Sequence, residues 1–83
     1  RSVSAGAELL ADGCIHVYGA LRGSAFAGVS DDPLARIFAK NMYAEKVAIA
    51  GLFLNAKEYP EDPAGRPIQV QITDGMLRLE PLP

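Results

Sequence analysis

Gly13-Cys14-Ile15-His16-Val17-Tyr18-Gly19-Ala20-Leu21-Arg22-Gly23-Ser24-Ala25-Phe26-Ala27-Gly28 places a glycine every four to six residues around apolar segments of strand length. Within those segments the apolar period is two: Ile15 and Val17, then Ala25 and Ala27, form a small or branched row, with His16 facing away. The pattern extends outward. Ala35-Arg36-Ile37-Phe38-Ala39 and Lys46-Val47-Ala48-Ile49-Ala50 repeat it on the C-terminal side, placing Ile37, Ala39, Val47 and Ile49 inward and Arg36 and Ala48 outward. Ala7-Glu8-Leu9-Leu10 adds a short segment after Gly6, and Gly51 closes the series. Glycine at a sharp bend tolerates positive φ or close backbone approach without a Cβ penalty. Strands of about five residues joined by such bends predict an all-β chain coiled as a β-solenoid with three faces per coil, each rung hydrogen-bonded to the one above.

Two alternatives compete locally. Residues 33–50 contain good helix formers, and Asp31-Asp32-Pro33 resembles an N-terminal cap with proline in the first turn. The β-branched Ile37, Val47 and Ile49, and a helical face made mostly of alanine, favour strands instead. A small sandwich or barrel is the second alternative, with Asp12-Gly13 and Asp74-Gly75 as hairpin loops. The C-terminal third has another character. Residues 55–67 hold Pro60, Pro63 and Pro67 with Lys57, Glu58, Glu61, Asp62 and Arg66, a loop composition. Beyond it, Ile68-Gln69-Val70-Gln71-Ile72 and Met76-Leu77-Arg78-Leu79-Glu80 alternate across Thr73-Asp74-Gly75, which predicts a C-terminal β-hairpin capping the coil.

At 83 residues and 49% hydrophobic, the chain fits one domain, residues 1–83, with a thin core. Eight Lys and Arg against ten Asp and Glu give a net charge of −2, with no basic cluster. That balance removes the electrostatic term behind most nucleic-acid affinity, so no nucleic-acid partner is expected. No apolar run reaches the ~18–20 residues of a membrane span, and residues 1–4 do not open a secretory signal. A lone Cys14 excludes an intramolecular disulfide and suits a reducing cytoplasm. Leu52, Phe53 and Leu54 cannot all point inward, so at least one needs another surface, a motive for homodimerisation.

Chemistry-bearing constellations are sparse. Cys14 and His16, two apart on a strand, provide at most two of the four ligands of a structural zinc site. A Cys nucleophile with a His base lacks an orienting acid and a nucleophile elbow. Gly19-Ala20-Leu21-Arg22-Gly23 lacks the lysine of a phosphate-binding loop, so its glycines read as turns. Asp31-Asp32 and Glu61-Asp62 read as solvated loop charges. No catalytic residue, metal or cofactor is expected. Arg22, at a bend with little side-chain cover, is placed to offer its planar fork to a carboxylate of another protein.

The residues Ser4-Ala5-Gly6-Ala7-Glu8-Leu9-Leu10-Ala11-Asp12-Gly13, Ile15-His16-Val17-Tyr18-Gly19, Leu21-Arg22-Gly23, Ala25-Phe26-Ala27-Gly28, Ala44-Glu45 and Ile49-Ala50-Gly51 resemble the C-terminal domain of the septum-site-determining protein MinC, over most of residues 3–51 and weakly again in the final hairpin. The resemblance implies a right-handed three-sided β-helix that dimerises. It further implies a bacterial cell-division inhibitor module, cytoplasmic and recruited to the inner membrane surface by the MinD ATPase, that helps keep FtsZ from assembling near the poles. Position by position, it places Gly6, Asp12, Gly13, Arg22 and Gly23 toward MinD. Family members often carry Arg-Gly-Arg where this chain has Arg22-Gly23-Ser24, and the second arginine is associated with the FtsZ tail, so Ser24 marks that position without its charge. The family's upstream Arg-Ser-Gly segment and N-terminal inhibitory domain are not in these residues, which implies a piece that starts after the first rung. The competing function is a β-helical acyltransferase-like enzyme with His16 as general base. Its coils need strict hexapeptide repeats, a register this chain keeps for only two or three units.

Overall fold

A computed structural model describes residues 2–59, 63 and 65–82. Its strands are β1 (Glu8–Leu10), β2 (Ile15–Leu21), β3 (Ser24–Ala27), β4 (Ile37–Met42), β5 (Lys46–Ile49), β6 (Leu52–Asn55), β7 (Ile68–Thr73) and β8 (Met76–Pro81), with a single 3-10 turn at Ala56–Glu58. Residues 33–50 are therefore extended, and the helical alternative does not form. Up to β5 the chain alternates between two sheets: β1, β3 and β5 pair in parallel in one, and β2 and β4 in the other.

The three-sided β-helix expected from the glycine spacing is not what the chain builds. The strands form two four-stranded mixed sheets, in the orders β1-β3-β5-β6 and β2-β4-β7-β8. Two local causes account for the difference. Gly19, read as a corner, lies inside β2, where the register against β4 slips between Val17 and Ala20. A strand glycine that marks a bulge leaves the chain running on in the same sheet. The parallel winding also stops after β5, because Ala50 (φ 49°) and Gly51 (φ 87°) form a tight turn that returns β6 antiparallel on β5. Two residues of positive φ are what a type I′ hairpin requires.

The second hairpin sits where the alternation places it: β7 and β8 pair antiparallel around Asp74 (φ 54°) and Gly75 (φ 76°), and β7 also pairs antiparallel with β4. Asp12-Gly13 makes no hairpin; it carries the chain from one sheet to the other. Of the proline-containing loop, Pro60, Glu61 and Asp62 lie outside the described residues. Pro63 is buried, and Tyr59 packs against the core with its hydroxyl donating to the Ala44 carbonyl at 2.9 Å.

The inward rows of both sheets meet in one core. Ile15, Val17, Ala25, Ala27, Ile37, Ala39, Val47 and Ile49 are all buried, joined by Leu21, Met42, Ile68 and Val70. No polar or charged residue is buried among them. Register then assigns the outer faces. On the first sheet Leu10, Phe26, Ala48 and Phe53 stand in one cross-strand row. On the second, His16, Phe38, Gln69 and Glu80 do so.

Candidate partner-binding surface

The expected partner-facing residues divide between the two ends of β1 and β3. Gly6, Arg22, Gly23 and Ser24 gather where these strands begin, with Tyr43 and Glu45 of the following crossover. The Arg22 N–H donates to Val3 O (2.9 Å), the Ser24 N–H to Ala7 O (2.8 Å) and the Glu45 N–H to Gly23 O (2.9 Å). Asp12 and Gly13 lie at the opposite end, where the Gly28 N–H donates to Gly13 O (3.3 Å). The Ser30 hydroxyl donates to Asp12 Oδ1 (2.8 Å). At about 3.3 Å per residue, the four residues of β3 separate the two groups by roughly 13 Å.

The three glycines differ physically. Gly23 is buried, and a Cβ there would sit 2.1 Å from the Ala7 carbonyl oxygen and 2.7 Å from that of Ser4, so its lack of a side chain serves the fold. Gly6 is exposed with φ 82° and open space around it, and its N–H donates to Glu45 Oε2 at 3.2 Å; backbone conformation is the constraint there. Gly13 has neither positive φ nor any atom within 4 Å of an added Cβ, which leaves it exposed and bare.

Sequence reasoning singled out Arg22 but not Tyr43. The Arg22 guanidinium carbon lies 4.6 Å from the centroid of the Tyr43 ring. The two residues are far apart in sequence and meet only because the Tyr43 N–H donates to Leu21 O (2.8 Å), stacking one crossover on the other. No local pattern carries that information.

Two further surfaces lie on the outer faces of the two sheets. The row Leu10, Phe26, Ala48 and Phe53, with Val29, Lys46 and Gly51, lines a shallow groove of about 310 Å³. Leu10 is 66% exposed and Phe53 55%, with the Lys46 ammonium 4.9 Å from the Phe53 ring centroid. On the other sheet His16 stacks on Phe38, with centroids 4.7 Å apart and planes 16° apart, and lies 6.5 Å from Tyr18. Cys14 is exposed and its sulfur accepts the Arg36 N–H at 3.3 Å. Among the described residues no three His, Cys, Asp or Glu side chains are placed to share a metal ion, and none of their helices is long and apolar enough to cross a membrane.

The geometry is that of a small β-domain with an exposed charged corner and apolar rows on its outer faces. The model of the family described as "Septum formation inhibitor MinC, C-terminal domain" matches residues 1–82. A probable septum site-determining protein MinC of Serratia proteamaculans is 47% identical over 81 residues, covering 98% of this chain and 35% of that protein. One from Allorhizobium ampelinum is 44% identical over 79 residues, covering 95% and 30%. A chain of the solved MinC:MinD cell division protein complex of Aquifex aeolicus superposes with a TM-score of 0.84 at 34% identity, covering 98% of this chain and 66% of that one. The chain belongs to the MinC C-terminal domain family. It spans about a third of the length of the curated relatives it matches.

Proposed function

We propose that this domain is a non-enzymatic adaptor of bacterial division-site selection: it dimerises, binds the MinD ATPase, and brings the inhibition of FtsZ-ring assembly to the membrane surface where MinD resides. The observation that carries the reading is its likeness, over nearly its whole length, to a chain of a solved MinC:MinD complex. Nucleotide belongs to the partner, so MinD's ATP state controls docking. The corner of Gly6, Arg22 and Gly23 supplies one part of the contact and Asp12-Gly13 the other, with a bare backbone edge at Gly13 that lets a partner approach closely. Ser24 stands where many family members carry a second arginine, so the FtsZ-tail contact at this position lacks that charge.

Dimerisation uses the outer face of the first sheet with a second copy as occupant. Phe53 (55% exposed) carries the apolar row to the edge strand β6, and contiguous apolar surface of a few hundred Å² on a small domain marks an interaction site. Against the acyltransferase reading, His16 stacks on aromatic rings, and among the described residues no carboxylate hydrogen-bonds to it as an orienting partner.

The test is co-sedimentation of the chain with MinD and anionic vesicles, with ATP and with ADP. ATP-dependent capture is expected, weakened by Arg22→Ala at an unchanged circular-dichroism spectrum. Absence of any ATP-dependent capture of the unsubstituted chain would overturn the assignment of the partner.

A further inference from the structure

Arg22 is exposed, yet its backbone is firmly held. Its N–H is bonded to Val3 O, and the next residue, Gly23, fits under the Ser4 and Ala7 carbonyls with no room for a Cβ. The side chain lies over Tyr43, whose own ring is backed by a second element: a Cβ on Gly65 would fall 2.4 Å from the Tyr43 hydroxyl and 3.0 Å from its Cζ, and the Gly65 N–H donates to Met42 O at 3.0 Å. Among the described residues no carboxylate pairs with the Arg22 guanidinium. The nearby Glu45 carboxylate accepts the Gly6 N–H. Five N–H donors in a rigid plane are thus left facing outward from a fixed ring.

We infer that Tyr43 is a positioning residue for partner docking: its ring holds the Arg22 guanidinium in one orientation, ready to receive a carboxylate of the partner. An unsupported arginine surrenders rotamer freedom on binding, whereas one already resting on an aromatic face surrenders less, and the difference appears as affinity. Naming MinD as the partner rests on the function proposed above; the positioning of Arg22 does not.

The experiment compares the unsubstituted chain with Tyr43→Phe, Tyr43→Leu, Arg22→Ala and the Arg22→Ala/Tyr43→Leu double variant, by affinity for ATP-loaded MinD. An exposed cation–π contact corresponds to about a two- to five-fold change in affinity. Tyr43→Leu is expected to lose that factor, Tyr43→Phe to retain full affinity, and the double variant to bind no worse than Arg22→Ala alone. The second readout needs no partner. In the unsubstituted chain and in Tyr43→Phe, the Arg22 δ-methylene protons should be shifted upfield by the ring current, and in Tyr43→Leu they should not. Unchanged MinD affinity of Tyr43→Leu, or an equal loss from that substitution whether or not Arg22 is present, overturns the inference. If the unsubstituted chain does not bind MinD, the partner assignment fails, and the Arg22 proton shifts alone decide the positioning: unshifted protons overturn it.

Discussion

Replacing Gly23 by alanine tests whether this glycine serves the fold or the partner. The added Cβ would lie 2.1 Å from Ala7 O, 2.7 Å from Ser4 O and 3.0 Å from the Ala7 carbonyl carbon, all inside an ordinary non-bonded contact of ~3.5 Å. Backbone, not a flexible side chain, must move. The Ala7 carbonyl that blocks the Cβ also accepts the Ser24 N–H at 2.8 Å, so relieving the clash strains the first hydrogen bond between β1 and β3. Overpacking costs about 1–3 kcal/mol and a lost hydrogen bond about 1 kcal/mol, together roughly 2–4 kcal/mol. A domain of this size has a total stability of about 4–12 kcal/mol, and each kcal/mol shifts Tm by ~4–8 °C. Gly23→Ala should therefore melt at least 8 °C below the unsubstituted chain, on the order of 10–20 °C. Gly13→Ala is the matched control: with ordinary φ and no neighbour within 4 Å, its Tm should stay level or rise slightly. Thermal denaturation followed by circular dichroism reads both. An unchanged Tm for Gly23→Ala, or an equal loss for Gly13→Ala, would refute the reasoning. With folding intact, any loss of MinD capture by Gly13→Ala reports on the bare surface itself.

Ala50 adopts φ 49° in the β5–β6 turn, a conformation that costs a residue with a Cβ about 1–2 kcal/mol. Ala50→Gly removes that strain against about 0.4–1 kcal/mol of added unfolded-chain entropy, so Tm should rise by a few degrees in the same melting assay. On the dimer contact proposed above, Phe53→Lys places a second cation beside Lys46 on the apolar row, and sedimentation equilibrium should show self-association weakened by about ten-fold or more, the loss of an interface anchor. Burial pushes the Tyr59 hydroxyl up from the usual 10.0 to about 12. A raised pKa in the folded state means stability is fully present below about pH 10, falls as pH climbs from about 10 to about 12, and levels off beyond. Urea melts across that window should show the decline, and Tyr59→Phe should flatten the part due to this group.

The period-two rows are legible in the residues because side-chain alternation is local: within each strand Ile15 and Val17, Ile37 and Ala39, and Val47 and Ile49 had to share a face whatever the strands paired with, and all are buried. Asp74-Gly75 is equally legible, since both residue types favour the positive φ a tight hairpin needs. Ala50-Gly51 makes a turn of the same kind but was invisible, because alanine is a poor occupant of that region; β6 and its antiparallel return went unseen with it.

Composition and alternation determined that this chain is all β, that Ile15, Val17, Ala25, Ala27, Ile37, Ala39, Val47 and Ile49 would turn inward, and that Arg22 would stand exposed at a bend, but not that Leu21 and Met42 complete the core or that Ala48, read as outward, is buried. Tertiary structure alone decided that Gly19 runs through a strand instead of turning it, that the strands settle into two mixed sheets and not a three-sided coil, and that Arg22 rests on Tyr43. The physical reason is range. Side-chain alternation is a property of adjacent residues, whereas the parallel strand order, its register and the stacking of one crossover on another come from hydrogen bonds between segments sixteen or more residues apart, which no short window of sequence records.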